Sequence, residues 1–204
     1  MHICNPNNPT GTAMSREEIL NAYKCLKNSG CDFVVDEAFI DYCPEVSVRG
    51  DVKEGLATVG SLTKILCIPG IRLGYVCAGK EAILRLKRKA LPWALNAFAA
   101  RIAAELPEHL EEIRQDAYLN EYRRDLFCSL LEGLGARVQP SCANFLLCDF
   151  GRNMSDAVRY LKTRHILVRK CASFGLGANY LRLAVRTENE NRLLTEELEK
   201  WLVS

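Results

Sequence analysis

No apolar run in this 204-residue chain approaches the roughly 18 residues that a membrane-crossing helix needs. The N-terminus also lacks the basic, apolar and small-residue succession of a secretory leader. Neither charge is in excess, with 27 Lys and Arg against 25 Asp and Glu, so no basic field for nucleic acid is expected. The densest cationic cluster, Arg85-Leu86-Lys87-Arg88-Lys89, lies on a helical pattern and reads as a solvated face. Histidine is scarce: His2, His109 and His165 share no metal-ligand spacing. The ten cysteines include no Cys-x-x-Cys pair, and no metal centre is expected. Cys67, Cys77 and Cys148 sit in apolar runs, which predicts free buried thiols in a reducing cytoplasm.

Hydrophobic residues make up 49% of the chain, enough to bury a core in one large domain or two small ones. It opens on Ile3-Cys4-Asn5-Pro6-Asn7-Asn8-Pro9-Thr10-Gly11-Thr12, where two X-Pro steps and a glycine force an extended, turning loop. A folded domain rarely starts on such a loop, so the natural protein is expected to carry a longer N-terminal part. Ser15-Arg16-Glu17-Glu18 is a capping box for a helix with Ile19, Leu20, Tyr23 and Leu26 on one side and Gly30 as its stop. Asp32 to Glu37 follows as a strand, buried except at its carboxyl end, where ligands usually sit in an α/β sheet. Ala57 to Gly60 and Ile71 to Val76 read as strands flanking a loop that carries Lys64.

Helical patterns run from Glu81 to about Leu91, from Leu95 to Leu106 and from Pro107 to about Leu134, with Pro92-Trp93 as an interruption. A strand over 143–148, a helix over 155–164 and strands over 166–169 and 180–185 come next. A second capping box, Thr187 to Glu190, opens a last helix to about Leu202. The fold expected is α/β: part of a large, mainly parallel sheet over 1–94, then linking helices and a small α+β domain over 95–204, with the link near 92–106. There are no internal repeats.

Chemistry concentrates in Ser61-Leu62-Thr63-Lys64, followed by Ile68-Pro69-Gly70-Ile71-Arg72. A buried amine traps carbonyls, and a fixed guanidinium clamps phosphate, so the pair suits a cofactor that is both an aldehyde and a phosphate ester. Asp36 at a strand end and Asn8 in its rigid loop need the same explanation. Pyridoxal phosphate supplies one, since its aldehyde needs a lysine and its ring nitrogen needs a carboxylate to stay protonated.

The ordered set Asn8-Pro9-Thr10-Gly11, Asp36-Glu37-Ala38-Phe39 and Ser61-Leu62-Thr63-Lys64 with Arg72 resembles the motif series of fold-type I pyridoxal-phosphate enzymes, the aspartate aminotransferase superfamily. The resemblance runs from residue 3 to the C-terminus. It implies that Lys64 is the catalytic, cofactor-bonding lysine, and that Asp36 pairs with the pyridine nitrogen. It further implies that Asn8 bonds the phenolic oxygen and that Ser61 and Arg72 hold the cofactor phosphate. Phe39 occupies a cofactor-side position where aminotransferases usually carry tyrosine, and it cannot donate a hydrogen bond. Arg182 matches the arginine for the substrate carboxylate, and Arg169 the arginine for a substrate phosphate, with salt bridging to glutamates as its alternative. Asn144 either borders the substrate site or satisfies a strand edge. A homodimer is implied for the full-length form.

Two subgroups are similar. The histidinol-phosphate aminotransferases share Asn5 to Gly11 and Gly70-Ile71-Arg72. The threonine-phosphate decarboxylases of cobalamin biosynthesis also share Asp36 to Tyr42, Pro92-Trp93-Ala94-Leu95-Asn96-Ala97 and Ile166 to Cys171. Phe39 and Pro92-Trp93 favour the decarboxylase, releasing carbon dioxide from L-threonine O-3-phosphate to leave aminopropanol phosphate. The aminotransferase is the alternative, and a catalytically incompetent fragment is a third.

Overall fold

The structure, a computed structural model, describes residues 1–203. The chain divides into two compact units, Met1–Asn7 with Ala13–Ala117, and Asn8–Thr12 with Tyr118 onward.

The first unit carries a four-stranded sheet in the order β1 (His2–Cys4), β2 (Phe33–Glu37), β3 (Leu56–Ser61) and β4 (Gly74–Cys77). The first three strands run parallel and β4 runs antiparallel to β3. Helix α1 (Arg16–Leu26) crosses from β1 to β2, and Ser15 and Glu18 close the expected capping box. Its Ile19 and Tyr23 pack with Phe33, Val35, Val48 and Leu56 into a small core. That core covers one face of β2, so Phe33, Val35 and Glu37 are buried while Val34 and Asp36 are half-exposed. The expected burial of the strand except at its carboxyl end is thereby corrected to alternation, with Glu37 at that end buried. The single-turn helix α2 (Leu62–Ile65) follows β3 directly, and α3 (Lys80–Lys89) and α4 (Ala97–Glu105) follow β4.

Helix α5 (Leu110–Gly133) runs on into the second unit. There β5 (Arg137–Val138), β6 (Phe145–Asp149), β8 (Tyr180–Ala184) and β7 (Arg169–Lys170) form an antiparallel sheet in that spatial order. Helices α6 (Ser155–Thr163) and α7 (Glu188–Leu202) complete the unit. Phe127, Leu131, Leu146, Cys148, Met154, Leu161, Leu181, Leu183 and Leu198 are the heart of its core, each almost wholly buried. The division falls inside α5, beyond the expected link at 92–106, and α4 belongs with the first unit, where the Asn96 amide donates to the Ile71 carbonyl at 3.0 Å.

Other expectations need correcting. The strand expected over 71–76 starts at Gly74, because Pro69–Ile71 forms a 3-10 turn that ends on Arg72. The strand expected over 166–169 shrinks to Arg169–Lys170, since the Ile166 amide donates to Leu161 and serves to close α6 instead. Pro107, which has no N–H to give, lies in a 3-10 turn (Leu106–His109), and the long helix begins only at Leu110. All ten cysteines are free, yet of the three expected to be buried only Cys148 is: Cys67 is exposed and Cys77 half-buried.

Candidate active site

Three parallel strands deliver their carboxyl ends to one side of the first unit, with Asn5, Asp36 and Ser61 at or just past those ends. In an α/β sheet this rim is where ligands bind. Asn5 is buried and clasps the opening loop: its Oδ1 accepts from the Met14 amide at 2.7 Å and its Nδ2 donates to the Met14 carbonyl at 3.1 Å. The Asn5 amide also donates to the Asp36 carbonyl at 2.8 Å, continuing the ladder. The peptides Asn5-Pro6 and Asn8-Pro9 are both cis.

Asp36 accepts one bond, from the Ala38 amide at 2.9 Å. Its other oxygen has no protein partner among the described residues. Its neighbour Glu37 differs: it is fully buried and held by the Val48 amide at 2.8 Å and the Ser47 hydroxyl at 2.9 Å. Burial pushes its carboxyl above the ordinary value. The adjacent carboxylates therefore differ, Glu37 fixing the 40–51 segment and Asp36 keeping one oxygen without a protein partner among the described residues.

Lys64 lies on α2, half-buried. Its Nζ donates to Thr63 Oγ1 at 3.3 Å and stands 5.9 Å from the centre of the Phe39 ring. Thr63 Oγ1 is also 2.9 Å from Ser61 Oγ, so hydroxyl, hydroxyl and amine form a chain. Tyr42 secures the turn by donating to the Lys64 carbonyl at 3.1 Å. Among the described residues no carboxylate pairs with Lys64. Arg72 leads into β4, opposite the Ser61 end of β3: Ser61 pairs with Gly74 and Leu62 donates to the Leu73 carbonyl. It adopts a left-handed φ of 56°, which is uncommon for a non-glycine residue and typical of functional loops. Its Nη1 donates to the Pro69 carbonyl at 2.8 Å, and it pairs with no acid among the described residues.

Gly60, just before Ser61, is required. A Cβ there would stand 2.1 Å from the Tyr75 ring. Tyr75 accepts from Arg49 at 3.0 Å, and Arg49 also donates to Asp41 at 3.1 Å. Burial raises the Tyr75 hydroxyl to a pKa of about 12, so it stays protonated beneath the strand end.

The second unit holds the remaining candidates. Arg182 on β8 donates to Asn8 Oδ1 at 2.6 Å and lies 4.8 Å from the centre of the Phe145 ring. Arg169 is its direct register partner on β7 and donates to Ser173 Oγ at 2.9 Å; no glutamate pairs with it among the described residues. Burial first, then the charge of Arg169, pulls the Arg182 guanidinium below its usual pKa. Like charges directly opposite across two strands repel, and among the described residues no carboxylate pairs with either. Asn144 completes the sheet edge, its carbonyl accepting from Val185 at 2.9 Å, and it bonds neither guanidinium. Gly11, at φ 79°, is pressed against Ser141, and a Cβ would overlap it.

Each unit thus collects a subset: Asp36, Phe39, Ser61, Lys64 and Arg72 in the first, Asn8, Arg169 and Arg182 in the second. Sequence reasoning passed over Thr63, which joins Ser61 to Lys64, and Phe145 and Phe174, which lie against the arginines. Thr63 stands inside the lysine motif and was visible there. The aromatic rings reach the arginines only through tertiary pairing.

The description "Aminotransferase class I and II" matches residues 1–198. The chain belongs to this family. It is 34% identical to a threonine-phosphate decarboxylase of Salmonella typhimurium, over 99% of this chain and 57% of the relative. It is 32% identical to a histidinol-phosphate aminotransferase of Ruminiclostridium cellulolyticum, over 97% of this chain and 55% of the relative. The crystal structure of L-threonine-O-3-phosphate decarboxylase from Porphyromonas gingivalis superposes with a TM-score of 0.89 at 28% identity, covering 100% of this chain and 64% of that one. The chain therefore spans little more than half the length of the curated relatives it matches.

Pyridoxal phosphate is the cofactor of the family, and the donor set fits it. Among the described residues, an amine without an acidic partner, two hydroxyls, an arginine that pairs with no acid and an aspartate with one oxygen unclaimed are the groups that an aldehyde, a phosphate and a protonated pyridine would take up.

Proposed function

We propose that the protein is a pyridoxal-phosphate-dependent carboxy-lyase that removes carbon dioxide from L-threonine O-3-phosphate, leaving aminopropanol phosphate for cobalamin biosynthesis. The observation carrying this reading is the Arg169–Arg182 register pair, two guanidiniums that pair with no carboxylate among the described residues, suited to a substrate with two anionic groups. Bound, pyridoxal phosphate supplies an electron sink for whichever substrate Cα bond breaks. Lys64 Nζ would be the amine that holds the cofactor through its aldehyde, and the group placed to hold and return a proton at the substrate Cα. Asp36 would keep a proton on the pyridine nitrogen, Ser61 and Arg72 would hold the cofactor phosphate, and Asn8 would donate to its phenolic oxygen. Arg182 holds the substrate carboxylate and Arg169 the substrate phosphate, each able to bind bidentately. Asn144 borders the substrate.

Phe39 supports the lyase reading. Its ring beside Lys64 offers no hydroxyl to the phenolic oxygen, and a missing hydrogen bond of this kind is worth about 1 kcal/mol. The 34% identity to a threonine-phosphate decarboxylase points the same way. A second reading, an aminotransferase of the histidinol-phosphate type, draws support from the 32% identical relative and uses the same residues; Lys64 would then move the Cα proton instead of assisting carboxylate loss. A homodimer and a cytoplasmic location belong to the proposal. Leu91, Trp93, Leu95 and Phe98 are exposed in one short stretch, which suits a subunit interface.

The test has two arms. Adding pyridoxal phosphate is expected to raise a visible absorbance band with the wild type and none with Lys64→Ala; absence of the band in the wild type overturns the cofactor assignment for this chain. Carbon dioxide released from O-phosphothreonine supports the lyase, whereas glutamate formed from histidinol phosphate and 2-oxoglutarate replaces it with the aminotransferase.

A further inference from the structure

The two arginines share a ring. After β7 the chain makes a 3-10 turn, Ala172–Phe174, closed by Gly175 at φ 77°. The turn is tied to buried Cys171, whose carbonyl accepts from the Phe174 amide at 2.9 Å and the Leu176 amide at 3.3 Å. The Phe174 ring centre lies 5.6 Å from the Arg169 guanidinium carbon and 5.8 Å from that of Arg182. Both distances fall within the range at which a ring face attracts a cation. The preceding residue, Ser173, accepts the one side-chain bond that Arg169 makes to a protein group.

We infer that Phe174 is a specificity-determining positioning residue, whose ring sets the spacing of the Arg169 and Arg182 guanidiniums and so selects ligands with two anionic groups over ligands with one. The inference rests on the proposed function for the identity of the two anions. Register pairing alone would let the like charges splay apart, because each side chain has several rotatable bonds and, among the described residues, neither pairs with an acid. The ring they share attracts both guanidiniums, and the bond to Ser173 fixes the direction of Arg169. Arg182 is held from two further sides, by Asn8 and by Phe145, so loss of the Phe174 ring releases mainly Arg169. Recognition of the second anion should therefore suffer while recognition of the carboxylate survives.

The test compares binding of O-phospho-L-threonine and L-threonine to the protein loaded with pyridoxal phosphate, by titration calorimetry, for wild type, Phe174→Leu, Phe174→Tyr and Ser173→Ala. Phe174→Leu is expected to raise the dissociation constant for the phosphorylated ligand about tenfold while that for threonine stays within about twofold. Phe174→Tyr, which keeps the ring face, should match the wild type, and Ser173→Ala should show a smaller loss of the same selectivity. A wild type that binds both ligands equally overturns the two-anion reading of the substrate, and this inference with it. A selective wild type whose preference survives both Phe174→Leu and Ser173→Ala overturns the inference alone. Equal loss of both ligands in Phe174→Leu, with Ser173→Ala unchanged, also overturns it, since that marks a merely structural role.

Discussion

The two units bury their apolar residues to different depths. The second closes on fourteen buried core residues, and every residue of β6 is buried. The first closes on six. Its sheet leaves Val59 and Val76 exposed, and α3 has no buried residue at all. Parallel strands are ordinarily covered on both faces, whereas an antiparallel sheet is complete with one covered face. Of the residues proposed for the cofactor, all but Asn8 thus sit in the more lightly packed unit, and the proposed substrate arginines sit in the better packed one. A lysine on a single-turn helix has little packing to hold it, and Thr63 and Tyr42 supply polar restraint instead.

That comparison breaks most sharply on a core truncation. Phe127 on α5 and Phe33 on β2 are both fully buried, and Phe→Ala in a core costs about 3–5 kcal/mol. Urea unfolding should show two transitions, with Phe127→Ala moving the more stable one and Phe33→Ala the less stable one. Equal displacement of a single transition by both variants would mean that the units share one cooperative structure.

Acid separates the units by sign. In the second unit Glu197 accepts from Lys200, Tyr160 and Arg164, and Glu190 from Arg186 and Thr187; these bonds hold both carboxyls at about 2. A depressed carboxyl pKa contributes stability above its ordinary value of 4.5 and loses it as the pH falls toward about 2. Glu37 in the first unit is shifted upward by burial, so its ionisation opposes folding as the pH rises through its folded value. Glu197→Gln should weaken the second unit near neutral pH and match the wild type near pH 2. Glu37→Gln should change the first unit least in acid. Denaturation midpoints followed across pH check both, and a Glu197→Gln deficit independent of pH would remove the electrostatic account.

Much of this was legible in the residues. Both capping boxes, the strand ending on Asp36 and the lysine segment rest on local chemistry, and local chemistry is what a sequence displays. The 3-10 turns over 40–51 were not legible, since Glu37 organises them by accepting from Val48 and Ser47 about ten residues on. Nor was the shortening of the 166–169 strand: Ile166, Leu167 and Val168 form an apolar run with two β-branched residues, but Ile166 gives its amide to the end of α6. Asp36 and Glu37 looked alike as neighbours, and only burial assigned them opposite duties. The shared ring of Phe174 depends on a register pairing across thirteen residues, which periodicity alone does not fix.

The finest contrast lies in the two capping boxes. Ser15 Oγ accepts from the Glu18 amide at 3.2 Å while Glu18 accepts from the Ser15 amide at 2.7 Å. Thr187 and Glu190 repeat the arrangement more loosely, at 3.4 Å and 3.2 Å. Glu190, however, is also gripped by Arg186 at 2.6 Å, so its carboxylate keeps a partner and its place at the α7 N-terminus when the hydroxyl is lost. Ser15→Ala leaves Glu18 with the backbone amide alone, among the bonds of the box. Removing a cap costs about 1 kcal/mol. Ser15→Ala should therefore cost the first unit about that much, and Thr187→Ala should cost the second unit less. Urea midpoints of the two variants, read against their own units, decide it. A larger loss from Thr187→Ala would mean that the hydroxyl, rather than the Arg186-anchored carboxylate, starts the last helix.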